Sequence, residues 1–599
     1  MIMAFFRSTA CVISLAALTV LATAGLGWVY FRAPGIISSS DSAMHSEDRT
    51  SEEADMPELA EKERERLWQI EHHGNVLSKT PNGFPSLGRA LRQADGVALT
   101  QLLAKDFKGQ TFNDPKEIRL DRAFANVVRK EKGNKSSRSL DGQQFVQELL
   151  NYRLLFHKPP NVHTALMTLS PLDPDNFDSL WEGSCVLRIY GEKQVGMPAE
   201  VVITLKFQVN RPTEEALALG GWLRECSVSQ TLQGEVSQPG FLFREAAAER
   251  GIDPSRFHDN WTHPEKITNT GGVYLCDYDR DGIVDMLITD VQTYTLYKGL
   301  PDGKFRDVTE QVGLPRNRLV SSPLGMLAAF VDIDGDGWED LILGGRIYKN
   351  EEGKRFANVT GRTNLFLPPD ASGLAIADYD RDGRVDIYIT RPGIAKADSW
   401  LDGKSGDNQG NQLWRNKGNW QFENVTAASG ADGGSRSTFS AIWLDADNDG
   451  WPDLYVINEF GNGVLLLNNG DGTFRQHNLV EGPGDFGSMG VTCGDIDNDG
   501  NIDLYIANMY SKAGSRVIGN LKNEAYAQPV LDKMRRFVTG SQLYRNRGGL
   551  KFDRLGQEYQ VASVGWAYGA ALVDLDNDGW LDLVATAGFM SLSRTEPDG

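Results

Sequence analysis

The sequence predicts a mainly β protein: a β-propeller of six or seven blades, preceded by a small α+β domain and an N-terminal membrane helix. Three observations carry this. One acidic nonapeptide recurs six times in the second half, each time between strand-like flanks; helical stripes followed by strict alternation fill the middle; and one long uncharged apolar run lies near the start. The divisions that follow are residues 1–35 (signal anchor or signal peptide), 36–80 (acidic stalk), 81–235 (α+β domain) and 236–599 (propeller), with an insertion at about 511–539.

The 599 residues carry 61 basic and 81 acidic side chains, a net charge of −20, with 40% hydrophobic residues. That composition is globular, and the acidic balance repels phosphate backbones, so no nucleic-acid partner is expected. The five cysteines (Cys11, Cys185, Cys226, Cys276, Cys493) include no CxxC, which leaves thiolate zinc and a redox dithiol unsupported. Cys185 and Cys226 either pair across neighbouring strands or stay as buried thiols. From Ser8 to Phe31, 24 residues run without a charge, and Trp28 and Tyr30 stand at the far end. A helix of that length spans a bilayer core and places its aromatics at the interface. The run therefore anchors the chain on the extracytoplasmic side. Alternatively, cleavage at Ala22-Thr23-Ala24 releases a secreted protein. Ser-Glu-Asp runs such as Ser46-Glu47-Asp48 then read as a solvated stalk, ending in a short charged helix from about Met56 to Ile70.

In the middle region Leu87, Leu91 and Ala94 share a helical stripe, as do Leu99, Leu102, Leu103 and Phe107. Phe145, Leu149 and Leu150 mark a third helix. Val201, Ile203, Leu205, Phe207 and Val209 alternate with polar partners as a half-buried strand, with Cys185–Tyr190 and Trp222–Leu232 as its flanking strands. Helices followed by a sheet, and the stretch Ala94-Asp95-Gly96 through Leu102-Leu103-Ala104-Lys105-Asp106-Phe107, resemble the NTF2-like cone fold. His157 and His163 are expected at the surface or in loops, outside any catalytic set.

The six nonapeptides follow Asp-x-Asp-x-Asp-Gly-x-x-Asp. They begin at Asp277, Asp332, Asp378, Asp445, Asp495 and Asp574 (position 1), and continue with Asp279, Asp334, Asp380, Asp447, Asp497 and Asp576 (position 3). Position 5 is Asp281, Asp336, Asp382, Asp449, Asp499 and Asp578, and position 9 is Asp285, Asp340, Asp386, Asp453, Asp503 and Asp582. These 24 aspartates exceed the whole acidic excess of 20. Carboxylates at positions 1, 3, 5 and 9 converge on one point, and glycine at position 6 permits the reversal. Position 7 (Ile283, Trp338, Arg384, Trp451, Asn501, Trp580) offers only its backbone carbonyl, which explains its variety. Five or more hard oxygens suit Ca²⁺ better than Mg²⁺, and the absence of His and Cys argues against transition metals, so up to six Ca²⁺ are expected. An EF-hand requires Glu at position 12 and flanking helices. That position holds Ile288, Leu343, Ile389, Val456, Ile506 and Ala585, and the flanks are strand-like. Without a cation, four carboxylates in nine residues repel one another.

The loops begin 55, 46, 67, 50 and 79 residues apart. After each of the first five, a second hairpin recurs: Leu296-Tyr297-Lys298 to Phe305, Ile347-Tyr348-Lys349-Asn350 to Phe356, Leu413-Trp414-Arg415-Asn416 to Phe422, Leu465 to Phe474, and Leu543-Tyr544-Arg545-Asn546 to Phe552. Eight residues beyond the Phe stands Gly313, Asn364, Gly430 or Gly482, residues that tolerate positive φ, and in the fifth copy Gln560. Four-stranded units at such periods make propeller blades. The longest interval holds a polar, helix-prone insertion, about Ser511 to Thr539, expected as a surface excursion. The sixth unit has two strands before Gly599, so a strand near Phe241–Ala248 is expected to close the ring, because Phe243 to Gly251 repeats the spacing of Phe305 to Gly313.

These units resemble the FG-GAP/VCBS repeats of integrin α-like propellers. Phe305-Arg306-Asp307-Val308-Thr309, Asn508-Met509-Tyr510-Ser511-Lys512-Ala513-Gly514 and Gly565-Trp566-Ala567-Tyr568-Gly569 are similar to the ASPIC/UnbV, cartilage-acidic-protein-like branch. Members of that branch are expected to continue into a C-terminal extension beyond the equivalent of Gly599. The resemblance implies an exported calcium-binding module for an unknown protein or glycan ligand, acting in adhesion or interaction and not as an enzyme. The alternative is an extracytoplasmic enzyme acting on polysaccharide or a small molecule at the propeller axis or in the α+β domain. From Gly271 onward the one histidine is His477, and the repeated carboxylates are committed to cations.

Overall fold

The computed structural model describes residues 61–587, apart from 122–123, 134–136, 241–242, 259–270, 291–292, 317–326, 393–409, 435 and 483. The apolar run Ser8–Phe31 and the stalk as far as residue 60 lie outside these. Among the described residues no helix is long and apolar enough to cross a membrane.

The first body is α+β. Helices α1 (Glu61–Lys79), α2 (Phe84–Gln93), α3 (Gly96–Leu102) and α4 (Gly142–Arg153) pack on an eight-stranded sheet. Its strands are β1 (Leu103–Thr111), β2 (Lys116–Asp121), β3 (Ala125–Glu131), β4 (Arg138–Leu140), β5 (Asn161–Pro171), β6 (Trp181–Gln194), β7 (Met197–Val209) and β8 (Leu223–Val236). The order is β2-β3-β8-β7-β6-β5, with β1 joining β8 in parallel and β4 antiparallel. Asp95 caps α3 through the Ala98 N–H at 2.9 Å, and Asp141 with Gln144 forms a capping box on α4. Trp181, Trp222, Leu187 and Ile203 are fully buried in the core between helices and sheet.

Two expectations change here, and one open alternative is settled. The stripe from Leu99 to Phe107 is not one helix: α3 stops at Leu102, and Leu103 to Phe107 run on into β1. A short apolar run fits both periods, and the pairing of Leu103 with Leu223 and of Lys108–Gln110 with Glu225–Ser227 on β8, across an irregularity, draws it into the strand. The end of the stalk belongs to the fold, because Ile70, Val76 and Leu77 of α1 are buried in the same core. Cys185 and Cys226 are free, since they lie on β6 and β8 on opposite sides of β7, facing Leu205 and Phe207. Two strand spacings are about 10 Å, beyond disulfide reach. Burial pushes the Cys185 thiol up to about 12.

Six antiparallel sheets follow, one per acidic loop. Unit one has strands Val273–Cys276, Asp285–Asp290, Thr293–Gly299 and Phe305–Asp307; unit two has Ala328–Val331, Asp340–Leu343, Arg346–Asn350 and Phe356–Asn358. Unit three has Gly373–Ala377, Asp386–Thr390, Gln412–Asn416 and Phe422–Asn424; unit four has Ser437–Leu444, Asp453–Phe460, Val464–Asn468 and Phe474–His477. Unit five has Ser488–Gly494, Asp503–Asn508, Gln542–Asn546 and Phe552–Arg554; unit six shows Ala567–Val573 and Asp582–Ala587. Strands pair in chain order, and the first strand of each sheet packs against the first strand of the next. Cores form between sheets: Leu287 and Leu341 bury together between units one and two, and Leu467 with Leu504 between units four and five.

A buried asparagine ends the third strand of units two to five and ties each unit to its predecessor. Asn350 Nδ2 donates to the Tyr278 carbonyl at 2.9 Å, Asn416 to Ile333 at 2.8 Å, Asn468 to Tyr379 at 2.9 Å and Asn546 to Ala446 at 2.9 Å. Unit one, the first of the six sheets, has Gly299 at this place. Asn416→Ala is expected to destabilise the protein by about 1–3 kcal/mol, because a buried carbonyl loses its donor; chemical denaturation checks this.

The strand expected near Phe241–Ala248 is absent: 241–242 lie outside the described residues, Phe243–Ala246 is irregular and Ala247–Gly251 is a turn. The Arg250 N–H bonds back to the Ala246 carbonyl at 2.8 Å, so the segment satisfies itself locally, and Gly251 follows at φ 85°. It nevertheless docks as the repeat spacing implies. The Phe305 N–H donates to the Arg250 carbonyl at 2.7 Å, as that of Phe356 does to Val312 at 2.7 Å.

The insertion is also not a surface excursion. It folds into α5 (Lys512–Gly519) and α6 (Gln528–Phe537), which join the two bodies. Arg516 makes a bidentate pair with the buried Glu71 of α1 at 2.8 and 2.6 Å. Asn520 Nδ2 donates to the Leu169 carbonyl of β5 at 3.0 Å. Leu67 of α1 packs with Phe460, Phe486, Leu531 and Met534 in a shared apolar cluster.

Candidate metal centres

Each acidic loop joins the first two strands of its sheet and is framed by its own aspartates. At position 1 one oxygen accepts the N–H of position 5 and the other that of the position-6 glycine; Asp277 does so with Asp281 at 3.1 Å and Gly282 at 2.9 Å. The same pair of bonds recurs at Asp332, Asp378, Asp445, Asp495 and Asp574. Position 5 accepts the N–H of position 7 in all six loops, from Asp281 with Ile283 to Asp578 with Trp580. The position-6 glycines have φ between 84° and 92°, a region that excludes a side chain at low cost.

Position 9 begins the second strand and is buried, with Asp285, Asp340, Asp386, Asp453 and Asp503 all at most 1% exposed. One of its oxygens accepts the N–H of position 2 and the other an N–H of the third strand. Asp340 takes Ile333 at 3.0 Å and Asn350 at 2.8 Å. Burial raises these carboxyls to about 6 at Asp285, Asp453 and Asp503, and to about 7 at Asp340 and Asp386.

Position 3 is different. One buried oxygen, Oδ1, of Asp279, Asp334, Asp497 and Asp576 has no hydrogen-bond donor. An orphaned, desolvated carboxylate oxygen is costly, and a cation is the partner it lacks. Asp277 with Asp279 and Asp285, Asp332 with Asp334 and Asp336, Asp378 with Asp380 and Asp386, Asp445 with Asp447 and Asp453, and Asp495 with Asp497 and Asp503 each place oxygens within 4.8 Å of one another. Oxygen-only donor sets of this kind suit a hard divalent ion such as Ca²⁺.

Around position 7 the loops touch one another, while Arg384 also pairs with Asp382 and Asn501 Nδ2 donates to Asp499 Oδ1 at 2.8 Å within their own loops. The Arg280 guanidinium lies 5.0 Å from the Trp338 ring centroid, and Arg381 lies 4.7 Å from that of Trp451. Arg384 donates to the Asn416 carbonyl at 2.9 Å. Asn448 Nδ2 donates to Asn501 Oδ1 at 2.8 Å, and Asn498 Nδ2 to the Gly579 carbonyl at 3.1 Å. Position 4 of one loop therefore touches position 6 or 7 of the next, from a left-handed backbone (Arg280, Arg381, Asn448 and Asn498 at φ 55–59°). Loop two has Gly335 there and nothing to extend. Sequence reasoning missed position 4, although four of its six residues, Gly335, Asn448, Asn498 and Asn577, are of the types that left-handed turns favour.

A third-strand cation was also missed. Lys298 pairs with Asp279 and Asp281, Lys349 with Asp334 and Asp336, Arg415 with Asp380 and Asp382, and Arg545 with Asp497 and Asp499. The histidines set aside earlier stay apart from these loops. His157 rests on the Glu192 carbonyl at 2.9 Å, and His163 is half-buried on β5, its pKa lowered by burial and by Lys512 and Arg188.

The FG-GAP-like repeat family matches residues 277–343, 397–456 and 445–506. Loops three and six lie outside those matches yet carry the same position-1 and position-5 bonds. Cartilage acidic protein 1 of Homo sapiens is 24% identical over 348 residues, covering 53% of this chain and 47% of that protein; the Mus musculus protein gives 24% and 48% of its length. The chain spans about half the length of the curated relatives it matches. Repeats and loops together give the chain FG-GAP-like repeats, and over about half its length it is similar to cartilage acidic protein 1.

Proposed function

We propose that the protein is an exported, calcium-loaded β-propeller that presents its loops to a protein or glycan partner as an adhesion or interaction module. The observation that carries this reading is the orphaned position-3 oxygen, buried in four loops beside carboxylates already held in place. Ca²⁺ at positions 1, 3, 5 and 9, with the position-7 carbonyl, gives the orphaned oxygen a partner and fixes the first hairpin of each blade. The six sheets are then blades of one ring. The apolar run Ser8–Phe31 supports export, with anchoring if it is retained and secretion if it is cleaved. The repeat architecture and the relatives support a binding role and not an enzymatic one.

The test is capture of extracellular proteins and glycans on the immobilised protein with calcium and with EDTA. Capture that is specific and lost on chelation is expected. Capture unaffected by EDTA, or no retention of radioactive calcium by the purified protein, would overturn the reading.

A further inference from the structure

Four of the loops carry their own counter-charge and one does not. In unit four the residue in register with Lys298, Lys349, Arg415 and Arg545 is Leu467. Leu467 faces Arg475 as Lys349 faces Ala357, one residue before the strand-ending Asn, and it is buried in the apolar core between units four and five. Loop four therefore has the same aspartate frame with no ammonium or guanidinium paired to it: Asp445 and Asp449 make their backbone bonds, Asp447 Oδ1 accepts the Asp449 N–H at 3.3 Å, and among the described residues no ion pair reaches Asp447. Arg475 acts on Asp447 only through space.

We propose that the third-strand residue sets the order in which the loops take up calcium, and that Leu467 makes the Asp445–Asp453 loop tighter than the four loops that carry a cation. The inference rests on the calcium reading above. In loops one, two, three and five an entering ion must displace a resident cation from the position-3 and position-5 carboxylates, or bind against its repulsion. In loop four the carboxylates repel one another until the ion arrives, so binding relieves charge and displaces nothing. The third strand of unit six lies outside the described residues, and loop six is left out of the ranking.

Terbium, which replaces calcium at oxygen sites and is sensitised by a nearby indole, reads this directly, because Trp451 and Trp338 occupy position 7 of loops four and two. Titration of the intact protein is expected to show a tight emitting class that loses one equivalent in Trp451→Phe. Leu467→Lys, a residue the same register accepts in units one and two, is expected to weaken that class about tenfold or more. Lys349→Leu is expected to create a new tight site whose emission depends on Trp338. Circular dichroism confirms that each variant is folded. If Trp451→Phe leaves the tight class whole, or folded Lys349→Leu titrates as wild type, the ranking is overturned while calcium binding stands. If no loop binds terbium or calcium, the ranking and the calcium reading fail together.

Discussion

The protein is expected to melt roughly 10 °C lower in EDTA than in millimolar calcium, measured by scanning calorimetry. Extracellular calcium modules bind with Kd values of about 10⁻⁴–10⁻³ M, so a site with ion at about tenfold Kd gains RT ln(1 + [L]/Kd), about 1.4 kcal/mol. Five loops with buried position-9 carboxylates would together contribute on the order of 7 kcal/mol. For a body larger than about 250 residues, that corresponds to roughly 2 °C or less per kcal/mol. The loss is expected to be large because the aspartates in each loop are already fixed by backbone N–H groups, so the ion meets a preformed set of oxygens. Asp334→Ala is expected to remove one site and about one such increment, with the fold kept. Superimposable melts with and without the ion would show that these loops are not calcium sites.

Arg516→Met is expected to release the α+β body from the sheets. Glu71 is only 5% exposed, and its carboxylate takes two hydrogen bonds from one guanidinium. Removing one partner of a buried pair leaves an uncompensated charge, a cost of about 3–5 kcal/mol. Calorimetry is expected to resolve two transitions in place of one, and the insertion is expected to become open to limited proteolysis. The double variant Glu71→Met with Arg516→Met is expected to recover most of the loss, because an apolar pair beside Leu67 and the insertion needs no counter-ion. A single unchanged transition in Arg516→Met would mean that the apolar cluster alone holds the bodies together.

The six loops were legible because the spacing of their aspartates is local: positions 1, 3, 5, 6 and 9 each act within nine residues, and six repetitions expose the template. The strands of the units and β7 were legible for the same reason, through periodicity. What pairing decides was not legible. Asn416 serves the carbonyl of Ile333, 83 residues away, and Arg516 serves Glu71, 445 residues away. The repeated Tyr-Lys-Asn and Tyr-Arg-Asn strings held the signal for both the staple and the resident cation, but only the register of the third strand separates their roles. Leu103 to Phe107 went to a strand because β8 pairs with the chain on both sides of it, at Leu103 and from Lys108 onward, a fact that no window of local sequence contains.

The insertion leaves unit five after Asn508, whereas its acidic loop enters the same strand at Asp503. The two therefore lie at opposite poles of the stacked sheets. With α1 seated against the insertion, the α+β body caps one pole. The carboxylate-bearing pole looks the other way, so a partner approaching it does not meet the cap.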